Sequence, residues 1–265
     1  MMKILVTVKE IAEVADDFEI ADNAIDETYL EYDLNEWDDY AVEEGVQLVE
    51  ADVADEVVAA TIGPERSEET IRMALAKGAD RAIRVWDDDL AAQDILDVET
   101  KAKIFAAIVE EEDPDIVLTG VQANDDSFGA TGVALAEMID FEWAAVVNGL
   151  EIDTDAGVAH VRRELEGGVE ELSDVSLPAV FTIQTGINEP RYASLRGIRQ
   201  AQSKEIAPKT LADVGLDAAD AESVLQLTEM FEPESEGEAE FLEGDASEQA
   251  TQLAEILQEK GVIAE

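Results

Sequence analysis

The residues best suited to chemistry in this chain form one run of small, polar and acidic side chains, GVQANDDSFGATG. Its members Gly120, Val121, Gln122, Ala123, Asn124, Asp125, Asp126, Ser127, Phe128, Gly129, Ala130 and Thr131 lie between an apolar run at 115–119 (DIVLT) and a helical pattern. The backbone N–H groups of such a strand-to-helix turn, with a helix N-terminus behind them, suit phosphate oxygens. The spacing is neither a Walker A loop nor the dinucleotide GxGxxG. The pattern alone therefore leaves open a plain turn with solvated Asp125 and Asp126. Those carboxylates sit awkwardly beside a phosphate unless they face a metal, a ribose hydroxyl or solvent. Ser67, at a helix start, reads first as an N-cap. Trp37, among Glu36, Asp38 and Asp39, reads as a partly exposed anchor or a stacking surface. His160, the only histidine, reads as a surface or packed residue rather than a catalyst.

A second group lies in NEPRYASLRGIRQAQSK, the least acidic stretch, where Arg191, Arg196, Arg199 and Lys204 gather around Tyr192 and Leu195. Exposed aromatic and aliphatic anchors among arginines suit a docking surface. Arginines paired with the protein's own acids would give the same composition, and both readings stand. Arg163 and Glu164 likewise suit either a partner contact or a solvated strand face.

The elements that must position these residues follow from periodicity. Apolar runs at 3–9, 56–62, 81–86 and 115–119 read as strands. Amphipathic stretches at 35–50, 67–77, 93–112 and 126–139 read as helices between or after them. This alternation predicts βαβ units and a parallel sheet with right-handed crossovers. Strands at 144–152, 158–165 and 179–184 then extend the sheet with antiparallel members. Beyond 206, Pro, Gly and acids dominate up to a final amphipathic helix at 247–260 with Leu253, Ile256 and Leu257 on one face. The expected fold is α/β, a mostly parallel sheet flanked by helices, over 1–205, followed by a C-terminal arm over 206–265.

Composition narrows the function. The chain has 265 residues, with 65 Asp+Glu against 17 Lys+Arg and a formal net charge of -48. That charge excludes a general nucleic-acid binder and disfavours an anionic membrane surface. Removing the acidic stretch 229–248 still leaves about -39, so the excess is spread over the surface and reads as adaptation to a very salty cytoplasm. With 46% hydrophobic residues the chain can bury a core. Absence of Cys removes disulfides and thiolate chemistry, and a single His removes His-based triads. No apolar run approaches a membrane span and the N-terminus lacks a signal-peptide core, so the expected location is cytoplasmic, without membrane insertion.

Five blocks in order carry a resemblance: KILVTVK at the N-terminus, LNEWDDYAVEEGVQL at 34–48, GPERSEETIRMALAKGADRAIRV at 63–85, GVQANDDSFGATG at 120–132 and LPAVFTIQTGINEPRYASL at 177–195. With them the chain resembles the beta subunit of electron transfer flavoproteins along nearly its full length. The resemblance implies a nucleotide-binding, adenine nucleotide alpha hydrolase-like fold. It implies a heterodimer with an alpha subunit that holds most of one redox-active FAD, and a structural AMP in the beta chain. Carried over by matched position, the AMP contacts are Thr7, Asn35, Glu36, Trp37, Asp38, Ser67 and the loop from Gly120 to Thr131. Trp37 matches an aromatic facing the flavin's dimethylbenzene edge. Leu195, flanked by Arg191, Tyr192 and Arg196, matches the loop that docks on partner dehydrogenases. Glu164 matches an acid that touches the alpha subunit, and the arm fits a segment wrapping that subunit. The implied role is electron transfer, in fatty acid beta-oxidation, from flavin dehydrogenases such as acyl-CoA dehydrogenases to a quinone oxidoreductase, with no substrate chemistry of its own. Glu36 departs from the proline common in the family, and SFGA at 127–130 from a more polar stretch. The alternatives are an electron-bifurcating type with a second FAD in place of AMP, and a stand-alone nucleotide-binding or hydrolysing protein.

Overall fold

Apolar runs of five to seven residues, too short for helices, form the centre of the protein as parallel strands. In the computed structural model, which describes residues 2–232 and 241–263, the chain begins with β1 (Lys3–Thr7). A small antiparallel arm follows: β2 (Glu10–Val14), β3 (Ile20–Ala21), β4 (Ala24–Ile25) and β5 (Leu30–Leu34). Then come α1 (Glu36–Glu50), β6 (Glu56–Ile62), α2 (Glu68–Lys77), β7 (Arg81–Val85), α3 (Asp88–Ala91), α4 (Val98–Glu112), β8 (Ile116–Gly120) and α5 (Thr131–Ile139). The second half contains β9 (Glu142–Asp153), β10 (Val158–Leu165), β11 (Val169–Ser176), β12 (Ala179–Ile183), α6 (Leu195–Ala201), β13 (Ile206–Lys209) and α7 (Ala246–Glu259).

The main sheet has the order β11-β10-β9-β12-β8-β1-β6-β7-β13. From β9 through β12 to β13 neighbouring strands pair in parallel, whereas β9, β10 and β11 pair antiparallel. Alternation along β1 divides the core into two layers. Ile4 and Val6 pack with Ala41, Val42, Ile71 and Leu75 of α1 and α2. Leu5 faces the other way, with Ile104, Ile108 and Leu135 of α4 and α5. Full burial of each large aliphatic side chain contributes roughly 1.5–3 kcal/mol, and Ile4, Leu5, Ile104, Ile108 and Phe181 are all fully buried. The chain leaves β1 and β6 toward one edge and returns beside β1 as β8. Strand order thus reverses between β1 and β8, and such switch points carry the ligand crevices of open parallel sheets.

Several expected boundaries move. The helix expected at 93–112 begins at Val98, because the Asp97 side chain accepts from Thr100 N–H at 2.7 Å and caps it. The helix expected at 126–139 begins only at Thr131, because Ser127 and Gly129 adopt positive φ of 52° and 60°, which no helical turn accommodates. The basic stretch contains a short helix, α6, capped where Ser194 Oγ accepts from Gly197 N–H at 3.0 Å. The expected division after 205 is also displaced: β13 pairs with β7, and Leu211 and Ala221 are buried in the second core layer. The compact units are Met1–Glu229 and Met230–Glu265. Within the second, Asp245 and Glu248 form a capping box that starts α7. The rest of the expected arm includes 233–240, which lies outside the described residues. No helix among the described residues is long and apolar enough to cross a membrane.

Candidate functional site

The first turn of α1 binds the ends of two strands together. Asp38 is 5% exposed. Its Oδ2 accepts from the Lys9 N–H at 2.8 Å, just beyond β1, and its Oδ1 accepts from the Gly120 N–H at 3.0 Å, at the end of β8. This joint spans the switch point. Burial pushes the Asp38 carboxyl up to about 7 against the pull of the two amides. Gly120 has no room for a side chain, since a Cβ would lie 2.5 Å from Asp38 Oδ1 and 2.7 Å from Trp37 Cβ. Asn35, also buried, is the N-cap of α1 by position but makes no capping bond with its side chain. Its amide instead reaches the loop: Nδ2 donates to Gln122 C=O at 2.9 Å and Oδ1 accepts from Asn124 N–H at 3.3 Å.

The structure thereby gathers Asn35, Asp38 and the loop from Gly120, with Thr7 buried at the end of β1. Glu36 is exposed. Trp37 is half-buried, and its Nε1–H donates to Gln184 Oε1 at 2.9 Å beyond the end of β12. Within the loop Val121, Gln122, Asp126, Phe128 and Ala130 are half-buried, while Asn124, Asp125, Ser127 and Gly129 are exposed. The turn holds itself partly through Ser127 N–H, which donates to Ala123 C=O at 3.0 Å. At its far end Ala130 offers no side-chain cap, so the first N–H groups of α5 have no capping side chain. Gly129 supplies the left-handed conformation at low cost. Left-handed residues followed by an uncapped helix start form a cradle of the kind that fits phosphate.

Two expectations need correction. Ser67 is buried but does not cap α2; its hydroxyl donates to Glu10 Oε1 at 3.0 Å. Thr70 donates to the other oxygen at 3.1 Å, and Arg66 pairs with Glu10 while lying over the Tyr32 ring. Ser67 therefore ties α2 to β2. The second concerns Asp125 and Asp126, which meet cations of the chain itself and are not merely solvated. Lys9 Nζ binds both, at 2.5 Å from Asp125 Oδ1 and 2.9 Å from Asp126 Oδ2, and Lys101 Nζ binds Asp126 Oδ2 at 2.7 Å. Neither lysine lies in the loop, and proximity in sequence gave no signal for either.

The basic stretch divides in two. Arg191 is engaged by the protein's own acids, Glu43 and Glu50 on α1, at 2.7–3.0 Å. Lys204 donates to the C=O groups of Leu75 and Ala79, and Arg72 donates to those of Ala201 and Lys204. These contacts fix α6 onto the end of α2, consistent with cations at helix C-termini. What remains is an outward patch: Tyr192 is 98% exposed and Leu195 79%, beside the exposed Arg196, Ile198 and Arg199. Arg196 and Arg199 have no ion pair among the described residues. Glu164 is exposed near the tip of β10, opposite Glu170 of β11. His160 is exposed and its Nδ1 lies 2.7 Å from Asp174 Oδ1.

Comparison with known proteins adds relationship to this geometry. A family model described as an electron transfer flavoprotein domain matches residues 22–214. The chain is 45% identical over 264 residues to the electron transfer flavoprotein subunit beta of Methylophilus methylotrophus, covering 97% of this chain and 98% of that protein. It is 33% identical over 264 residues to the electron transfer flavoprotein subunit beta of Bacillus subtilis (strain 168), covering 99% and 100%. It is 36% identical over 230 residues to the mitochondrial electron transfer flavoprotein subunit beta of Arabidopsis thaliana, covering 86% and 89%.

Proposed function

The chain belongs to the electron transfer flavoprotein family, and from that premise we propose that it is the beta subunit of a heterodimer that carries electrons from flavin dehydrogenases, such as acyl-CoA dehydrogenases, to a quinone oxidoreductase. In this reading the alpha subunit holds most of one FAD, and the beta chain holds AMP in the crevice between β1 and β8. The observation that carries the reading is the placement of Trp37. Its indole is fixed by Gln184 and half-exposed, adjacent in sequence to the Asp38 joint that shapes the crevice. A single turn of helix thus carries both a partly exposed indole and the carboxylate that joins the strand ends beside the loop from Gly120.

The residues present fit both groups. Thr7, Asn35 and the loop Gly120 to Thr131 would surround the nucleotide, with its phosphate at the uncapped start of α5. Asp38 and Ser67 would shape that site through their bonds to the Lys9 and Gly120 amides and to Glu10, and would line it beside the ligand. Trp37 would wall the flavin's dimethylbenzene edge. The flavin supplies the one-electron chemistry; the chain's own groups position it, shield it and present a docking face. Bound nucleotide stabilises the folded state alone, in proportion to RT ln(1 + [L]/Kd). Glu164 would contact the alpha subunit from the β10 tip, and the segment after 229 would pack on it.

Co-expression with an alpha-type partner should give a yellow complex that releases about one AMP per chain, following the one-site relation. A colourless, monodisperse monomer would sink the subunit reading, and a second FAD in place of AMP would move the protein to the electron-bifurcating type. The outward patch on α6 makes a separate prediction. Replacing Leu195 with Ala should slow electron transfer from the dehydrogenase about tenfold, the scale of a central interface anchor, with flavin content unchanged. Stopped-flow reduction of the complex at limiting dehydrogenase reads this directly, and an unaltered rate removes Leu195 from the docking surface.

A further inference from the structure

The loop facing the proposed nucleotide carries two adjacent carboxylates, Asp125 and Asp126, that would repel a phosphate. They do not stand alone. Lys9, just beyond β1, and Lys101, on the first turns of α4, close a four-charge cluster with them whose formal charges cancel. The cluster is partly enclosed: the Lys101 side chain is 13% exposed and that of Asp126 21%. The Lys101 ammonium also lies 4.6 Å from the centre of the Phe128 ring, on the same loop. Ion pairs that are partly removed from water resist screening by salt far better than exposed ones. The chain has only 17 Lys+Arg against 65 Asp+Glu, so two cations converging on one loop mark a place where negative potential is locally cancelled.

We propose that Lys9 and Lys101 decide which class of ligand the loop accepts, by cancelling Asp125 and Asp126 so that a phosphate-bearing nucleotide, rather than only an uncharged nucleoside, can occupy the cradle. This rests on the nucleotide reading above and adds to it two residues that act through the loop carboxylates. They are positioning residues: their effect is on the potential at the phosphate, and their signature is discrimination between ligands that differ by that phosphate alone.

The test compares AMP with adenosine by calorimetric titration of the full chain, freed of bound nucleotide, at the lowest salt that preserves its fold. Lys101→Met keeps an unbranched side chain of similar length and removes the charge that lies beside Phe128. It should weaken AMP about tenfold, the scale of one uncompensated charge at several ångströms and intermediate dielectric, and leave adenosine within about twofold. Adding Asp126→Asn to that variant should restore AMP to within about threefold of the wild-type chain. Asp126→Asn alone, which keeps both lysines, should tighten AMP about threefold without changing adenosine; it provides the test should Lys101→Met fail to fold. Equal losses for AMP and adenosine would mean that Lys101 only shapes the loop, and the inference is overturned. It is equally overturned if the AMP-to-adenosine ratio does not move in any variant. A wild-type chain that binds neither ligand overturns the nucleotide reading itself.

Discussion

At about 0.1 M NaCl the protein should unfold at least ~10 °C below its midpoint at about 2 M, because the screening length shortens from about 10 Å to under about 3 Å over that range. The net charge of -48 is distributed over the whole chain, so the unscreened surface repels itself in the compact state. Internal pairing offers little relief. Most lysines and arginines are already engaged, as in Lys3 and Arg81 with Glu112, Lys77 with Asp39 and Arg191 with Glu43 and Glu50. Among the described residues few cations remain for the other acids, Arg196 and Arg199 on α6 being two of them. For a chain of this size about 2–4 °C corresponds to each kcal/mol, so the shift represents several kcal/mol of screened repulsion. Thermal unfolding followed by circular dichroism against NaCl measures it. A midpoint independent of salt would remove the reading of the charge as adaptation to a salty cytoplasm.

The second large effect is expected at the joint between β1 and β8. Asp38→Ala leaves the N–H groups of Lys9 and Gly120 without their acceptor in a buried position, at a cost of about 2–4 kcal/mol. Gly120→Ala forces a Cβ into Asp38 and Trp37, at about 1–3 kcal/mol. The two should not add. Removing the Asp38 side chain vacates part of the space the new Cβ needs, so the double variant should fall short of the sum by about 1 kcal/mol or more. Additive losses in denaturant midpoints would mean that the two residues are not packed as described. The pH dependence has a definite sign. Burial raises the folded carboxyl from its ordinary 3.8 to about 7, so the fold favours its protonated form. The stability Asp38 contributes is full below about 4 and declines as pH rises through about 7. The cost of Asp38→Ala should accordingly shrink between those pH values.

Much of the crevice was legible before the structure. The loop from Gly120, the turn at Asn35 to Asp38 and the strand ends around them carry short-range signals: apolar runs, glycines and helix starts. The resemblance matched these same segments. The structure adds internal partners for two of the matched residues: the Ser67 hydroxyl donates to Glu10, and the Asp38 carboxyl accepts from two backbone amides. The arm β2–β5 and the edge strand β11 were not read from sequence. β2 and β11 are rich in acids and lack regular apolar alternation, whereas β5 alternates Leu30, Tyr32 and Leu34 with Glu31 and Asp33 over only five residues, a short signal set among acid-rich neighbours. β13 was missed because a four-residue strand containing Pro208 looks like a linker. It is held at the sheet edge, where proline is tolerated.

The sequence by itself determined the class of fold, the order of the central elements, the strand-to-helix loop from Gly120 and the overall charge. These follow from periodicity, turn residues and composition, which act over a few residues or over the whole chain. Only the tertiary structure decided the partners of charged and buried polar groups. Lys9 meets Asp125 across 116 positions and Lys101 meets Asp126 across 25. Arg191 reaches back 148 positions to Glu43 and leaves the outward face of α6 to Leu195, Arg196 and Arg199. Among 65 acids no local pattern selects the one that a given cation will meet. That choice is made by the packing of strands and helices, which fixes which side chains share a small, partly dry volume where pairing is strong.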